Sequence, residues 1–530
     1  MSDPSRRRPV LAALPLAAAC LLAPVPLAAQ DWTVDDPEVR AIVAEGLERS
    51  RLEDLAGALV DSIGARLAGT PSYDAAADWV AAQYAAWGIP VRQEEAGTWT
   101  GWRQGFTHVD LLEPRRRTLE AIPLAFSPGT GGPVEGPVVT IPADLTEETA
   151  EEWLGTIEGA FVLAMPAEPT CRARQELEAN ARPETVARID SLRDASRAAG
   201  FRALSALGTE SRNPVRAIAR LAAGRPAGIV VSWWSEGWGA NKVFDAPTPD
   251  VPSFSLSCED YGLVHRLAAA GRSPRLRADL TAERTGVVPH RNVIAEIRGA
   301  TRPDEYVVLS AHLDSWHAAS GATDNGTGTL MVMEAMRLLQ EAGVRPDRTI
   351  LAGHWAGEEM GLIGSRAFVE DHPEVLEGLQ AAFNQDNGTW RIERIEGQGF
   401  LRAGERIGRW IADVPRGIAG DIALEFPGGQ NNRGSDHTTF VCAGAPGFRL
   451  QSPYDEYRQY TWHTELDTYD KIVFDDLRSN AVLAAILARA AANDPETTPR
   501  DRALLPPDAR TGEPRAWMEC RPAQRAPRSR

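Results

Sequence analysis

The chain has 530 residues, too many for one compact core, so two or more domains are expected. Hydrophobic content of 43% and charged content of 24% are ordinary for a soluble globular protein. A net charge of −17 argues against a nucleic-acid or anionic-membrane partner.

The N-terminus reads as a secretory signal over residues 1–30. Arg6, Arg7 and Arg8 precede a Leu/Ala-rich run from Val10 to Leu22, and Ala28 and Ala29 offer a cleavage site near Gln30. Pro15, Pro24 and Pro26 break the stretch, which falls short of the roughly 20 residues of a membrane span. A cleaved leader, export to the periplasm or medium, and no remaining span are therefore expected. Cys20 lies in a poor lipoprotein context. Cys171, Cys258, Cys442 and Cys520 are scattered without metal-type spacing. An exported compartment permits disulfides, and the sequence leaves their pairing open.

Residues 31–125 open the first folded part. Leu52 to Ile63 and Tyr73 to Trp87 have helical apolar spacing, and Val91 and Val109 to Leu112 read as strands. Trp99 and Trp102 read as packing residues. Residues 126–270 form a separate βαβ-rich block, with strands at Pro137–Ile141, Gly159–Met165, Pro226–Ser232 and Val251–Leu256 and helices at Leu177–Ala199 and Glu259–Ala270. No catalytic constellation is visible there, so the block is read as an insertion serving as a lid or gate. Residues 271–494 return to alternating order. Strands are expected at Asn292–Ile297, Tyr306–Ser310, Arg348–Trp355, Leu379–Phe383 and Gly447–Leu450, a buried helix at Thr327–Gln340, and a closing helix at Ile472–Ala492. This order predicts an α/β fold with a mostly parallel mixed sheet covered on both faces. Residues 495–530 are a Pro/Arg-rich tail expected to hug the surface or stay disordered.

The chemistry collects at strand ends, where open α/β sheets build their sites. His312, Asp324, the pair Glu358-Glu359 and Asp386 follow successive apolar strands, and His463 lies in Tyr460-Thr461-Trp462-His463-Thr464-Glu465-Leu466-Asp467-Thr468. Two histidines with three carboxylates suit a pair of zinc ions sharing one bridging carboxylate. His312 and Asp314 face the same way in extended backbone, so Asp314 is placed to accept the imidazole's second N–H. Glu358 and Glu359 point apart, which leaves one for metal and one for water.

This ordered set resembles metallopeptidase family 28, the co-catalytic zinc exopeptidases. His312-Leu313-Asp314-Ser315-Trp316 and Gly321-Ala322-Thr323-Asp324-Asn325-Gly326 are most similar to its carboxypeptidase Q branch, and residues 126–270 resemble the inserted protease-associated domain common in the family. The resemblance covers roughly residues 35–125 and 285–490. It implies the zinc-exopeptidase three-layer fold and two Zn²⁺: Asp324 as bridge, His312 and Asp386 completing one ion, Glu359 and His463 the other. Glu358 would be the general base, Asp314 would orient His312, and a cis peptide would follow Asp324. The implied substrate is a peptide cut at a chain end, from the amino or carboxyl side, and the family allows a homodimer. Ser435-Asp436-His437 resembles another family signature and makes His437 a rival to His463. His317 and His354 read as structural. Tyr454, Tyr457, Tyr460 and Trp462 form either a specificity pocket or plain packing, and Arg433 is a candidate for binding a carboxylate. Two other classes share the scaffold: a non-catalytic transferrin-receptor-like ectodomain and a glutaminyl cyclase-like acyltransferase.

Overall fold

The computed structural model describes residues 35–208, 214–430, 434–454, 456–508 and 510–527. The expected leader over residues 1–30, with Cys20, and the candidate Arg433 lie outside the described residues.

The strand Arg302–His312 sits mid-sheet. It runs parallel to Arg348–Trp355 on one side and to Leu379–Gln385 on the other, and Gly447–Gln451 continues the parallel set. Antiparallel strands flank them: Arg275–Ile297 beside Arg348–Trp355, and Arg394–Glu396 beside Gly447–Gln451. Every residue of Arg348–Trp355 and Leu379–Gln385 is buried, the signature of a sheet covered on both faces. Strand alternation divides the two cores. Val307, Leu309 and Ala311 pack with the helices Thr327–Glu341 and Phe474–Asn493, while Val308 joins Trp355, Phe368 and Phe440 on the opposite face. The result is a three-layer α/β fold with a mostly parallel mixed sheet.

The helix Thr327–Glu341 is buried from Thr327 to Leu339 although it carries Glu334 and Arg337. The two charges pair with each other at 2.8 Å, and Arg337 also reaches Glu45 at 2.7 Å. Burying that charge is tolerated because both partners are hydrogen-bonded.

Sequence and structure part company in the outer ribbon. Val91–Glu113 is one strand of 23 residues, not two short ones, and it pairs along its length with the equally long Arg275–Ile297. Residues 103–106 of this strand and 283–287 of its partner are solvent-exposed on both faces, with Phe106 and Val287 each 65% exposed. A wet two-sided ribbon has no apolar alternation to mark it in the sequence.

Within residues 126–270, Val134–Thr140, Phe161–Leu163, Gly228–Val231 and Ser253–Leu256 pair in parallel around Phe161, Val230, Phe254 and Tyr261. Val134–Thr140 also pairs with the long Arg275–Ile297 strand, which ties the block to the ribbon. Two disulfides form, Cys171–Cys258 and Cys442–Cys520. The second anchors the tail, which then crosses the surface: Thr98 N–H donates to Arg525 O at 2.9 Å, and Arg525 pairs with Asp371 at 2.8 Å. Among the described residues, no helix is long and apolar enough to cross a membrane.

Candidate active site

Three parallel strands deliver their C-terminal ends to one spot. His312 closes the first, Glu358 and Glu359 follow the turn after the second, and Asp386 follows the third. Asp324 enters from the turn before the buried helix, and His463 from the segment just after the helical turn Tyr457–Thr461.

The ligand atoms converge on two histidine nitrogens. His312 Nε2 lies 3.2 Å from Asp386 Oδ1 and 3.6 Å from Asp324 Oδ1. His463 Nε2 lies 3.0 Å from Glu359 Oε2 and 3.4 Å from Asp324 Oδ2. The two oxygens of Asp324 therefore face different histidines, as a bridging carboxylate must. These separations bracket the ~3.3 Å edge of a tetrahedron with metal–ligand bonds of about 2.0–2.1 Å. His312, Asp324 and Glu359 form a group with one ligand atom each within 4.8 Å of one another.

Electrostatics points the same way. Burial, then Asp386 and Glu359, pushes Glu358 well above the usual carboxylate range, and burial followed by Asp324 does the same to Glu359. Burial alone would lower His312, but Asp386 with Asp314 and Asp324 outweighs it and holds the imidazole well above its ordinary value. Burial pushes His463 down to about 4, so its imidazole is neutral at neutral pH, the form that ligates metals. Asp324 Oδ2 and Glu359 Oε1 are buried without a hydrogen-bond partner. A nitrogen-and-oxygen donor set with orphaned carboxylate oxygens and surplus negative charge fits divalent cations.

The scaffold behind these groups is only partly visible in the sequence. Asp314 does hold His312, but by its main chain: His312 Nδ1–H donates to Asp314 O at 2.9 Å, with the carboxylate Oδ1 3.6 Å away. That carboxylate instead accepts the backbone N–H groups of Glu358 at 3.0 Å and Glu359 at 3.2 Å. The turn that presents them starts at Gly357, whose φ is +64° and whose added Cβ would sit 3.1 Å from the His290 ring. Asp467 holds the Asp324 turn, accepting from Thr323 N at 2.8 Å, Thr323 Oγ1 at 2.8 Å and Asp324 N at 3.0 Å. Its place in the motif after His463 is the available signal. The peptide between Asp324 and Asn325 is cis. Arg66, fully buried, ties down the segment between His312 and Asp324 through three bonds to carbonyl oxygens, and makes a fourth to Gly64 O. No sequence motif marks it.

The remaining candidates disperse. His437 is buried and its ring nitrogens have no hydrogen-bond partner, and it stands outside the His312–Asp324–Glu359 group. His317 donates to Pro123 O, and His354 meets Tyr84 OH, both at 2.8 Å. Trp102 is buried with its Nε1–H on Ser127 O. Tyr454, Tyr457 and Trp462 line a cavity of about 640 Å³ that also holds Asp324, Glu358 and Asp386. A second cavity, about 940 Å³, reaches Glu359 from the side of Trp99 and Phe126. Tyr460 instead lies against Gly237.

Residues 292–488, which contain all of these strand ends and His463, match the family model described as Peptidase family M28. This segment of the chain is similar to that family. Mouse carboxypeptidase Q is 25% identical over 461 residues, covering 86% of this chain and 88% of its own length. The Xenopus laevis carboxypeptidase Q is 25% identical over 429 residues, covering 81% and 82%. Among solved structures, the peptidase M28 precursor from Shewanella amazonensis superposes with a TM-score of 0.65 at 24% identity, covering 89% of this chain and 99% of its own. A zinc aminopeptidase from Bacillus subtilis superposes at 0.54 with 18% identity, covering 84% and 96%. These structural likenesses establish that the chain shares their fold.

Proposed function

We propose that this chain is an exported, zinc-dependent exopeptidase that releases residues from chain ends with two zinc ions in the strand-end site. The observation that carries the reading is the split carboxylate of Asp324, one oxygen toward His312 and the other toward His463. His312 and Asp386 would hold one ion, Glu359 and His463 the other, with Asp324 between them. When bound, such a pair acidifies water and polarises the scissile carbonyl. The chain's own groups do the rest. Asp314 fixes the backbone of Glu358 and so the position of its carboxylate. Glu358, made more basic by burial, takes the proton from the attacking water and returns it to the leaving amine. The two disulfides support an oxidising compartment, in keeping with the leader sequence.

The test is metal analysis with product analysis. Two zinc ions per chain and stepwise release of terminal residues from an unblocked peptide are expected. Internal cleavage, or cyclisation of a glutaminyl peptide without hydrolysis, would overturn the exopeptidase reading. A finer prediction concerns Asp467. Replacing it by Asn puts an N–H₂ group against one of the N–H donors of residues 323 and 324, so the Asp324 turn loses a bond. Asp467→Asn is expected to fold and to lower zinc affinity about 10- to 100-fold, read by competition with a chromophoric chelator. Unchanged affinity would remove Asp467 from the metal site's support.

A further inference from the structure

Residues 126–270 enclose a chamber of about 330 Å³ that shares no lining residue with the two cavities reaching the candidate metal ligands. Its walls include Met165, Ser232, Trp233, Lys242, Phe244 and Tyr261, with one side from the helix Pro183–Ser205. The volume is at the small end of ligand pockets, the size of one small molecule. Tyr261 presents only its ring, because its hydroxyl is spent on the main chain of Met165, donating to O at 2.5 Å and accepting from N–H at 2.8 Å. Ser232 Oγ is buried and has no hydrogen-bond partner among the described residues. A buried hydroxyl is costly to leave unpaired, so it marks a place where a polar partner belongs.

Lys242 brings a half-buried ammonium to the same wall, with Nζ 4.6 Å from the centroid of the Trp462 ring. The carboxylate that also lines the chamber, Glu168, is engaged by Arg193 at 3.2 Å and Arg197 at 3.7 Å. An ammonium and an unpaired hydroxyl set among aromatic rings suit an anion carried on an apolar body. The chamber also backs onto the candidate metal site through one side chain. Lys242 and Phe244 stand two apart in an extended segment that bridges to Thr464, so they face the same way. Between them, Val243 N–H donates to His463 O at 2.9 Å. The Phe244 ring meets Trp233 edge-on with centroids 5.8 Å apart, and it meets the His463 ring at 5.3 Å. Phe244 is thus a partition with the chamber on one side and a candidate metal ligand on the other.

We propose that this chamber is a binding site for a small aromatic carboxylate, held by Lys242 and Ser232 with its ring among Trp233, Tyr261 and Phe244, and that its occupancy is felt at His463 through Phe244. A bound ring fixes how Phe244 packs, and a ligand alters the metal site only to the extent that it favours one such packing over another. Binding in the chamber is independent of the peptidase reading, whereas the effect on His463 rests on the metal site proposed above.

Calorimetry on the metal-free full chain, where no ion competes for the acid, compares 3-phenylpropanoate with 3-phenylpropanamide and acetate. The aromatic acid is expected to bind at least about 10-fold more tightly than either. Lys242→Met, which retains the packing of the lysine stem, should remove the advantage over the amide and leave amide binding in place. Ser232→Ala, which deletes a single oxygen, should weaken the acid about threefold. Absence of binding, equal binding of acid and amide, or an acid preference that survives Lys242→Met overturns the site. A second measurement reads the link to His463. With cobalt in place of zinc, 3-phenylpropanoate should shift the visible absorption of the loaded chain, saturating at the Kd found by calorimetry. Phe244→Leu should abolish that shift at saturating acid. No shift in the wild type overturns the coupling, and so does a shift that persists in Lys242→Met, since the acid would then be binding the ion itself. Acid-selective binding to a chain that hydrolyses no peptide sustains the chamber and sinks the peptidase reading instead.

Discussion

Glu358→Gln is expected to lower kcat by about 10³-fold or more while leaving the fold and the zinc content as they are. The substitution keeps the size of the side chain and removes its ability to accept a proton. Glu358 makes no contact with the histidine nitrogens that gather the other carboxylates, whereas its neighbour Glu359 lies 3.0 Å from His463 Nε2. The backbone that presents both is held by Asp314 and does not depend on the Glu358 side chain. Loss of turnover should therefore appear without loss of metal. Glu359→Gln should behave differently, weakening metal retention along with activity. The pair of variants separates the two adjacent glutamates. If Glu358→Gln turned over substrate at the wild-type rate in a preparation free of wild-type enzyme, the base would have to be another group.

The same division between reacting groups and their supports decides what is legible in the sequence. His312, Asp324, Glu358-Glu359 and Asp386 are legible because each follows an apolar run, and a parallel sheet puts such ends together. The helix after Asp324 is legible because its apolar residues leave no exposed face. The supports are not legible. The Asp314 carboxylate bonds backbone N–H groups 44 and 45 positions away, and nothing in the identity of Glu358 or Glu359 announces that their amides need an acceptor. The disulfide pairs span 87 and 78 residues with no spacing rule to choose them. Lys242 and Phe244 lie in a block with no catalytic pattern, yet the Phe244 ring is 5.3 Å from that of His463. Local pattern reveals which side chains end a strand. It does not reveal which distant backbone they hold.

Arg66→Met is expected to cost at least about 4 kcal/mol of stability and to impair metal binding with it. The guanidinium is fully buried and spends its donors on carbonyl oxygens: Leu313 at 2.8 Å, Gly64 at 3.0 Å, Ser320 at 2.6 Å and Gly321 at 2.8 Å. Met fills much of the same volume and satisfies none of them. Each abandoned buried carbonyl costs about 1–3 kcal/mol. Burial brings the Arg66 pKa down to about 10, against the pull of Asp467, Asp314 and Asp324, so the group stays charged at neutral pH. It thereby offsets part of the carboxylate repulsion behind the metal cluster, and that contribution is lost too. Arg66→Lys restores the charge but not the planar fork, so it should recover only part of the loss. Urea unfolding of the zinc-loaded variants measures the stability change, and chelator competition measures the affinity. A Met variant within about 1 kcal/mol of wild type would show that the segment from Leu313 to Gly321 holds its shape without Arg66. The predicted outcome is that both readouts fall together, because Leu313, Ser320 and Gly321, three of the residues Arg66 fastens, lie between His312 and Asp324.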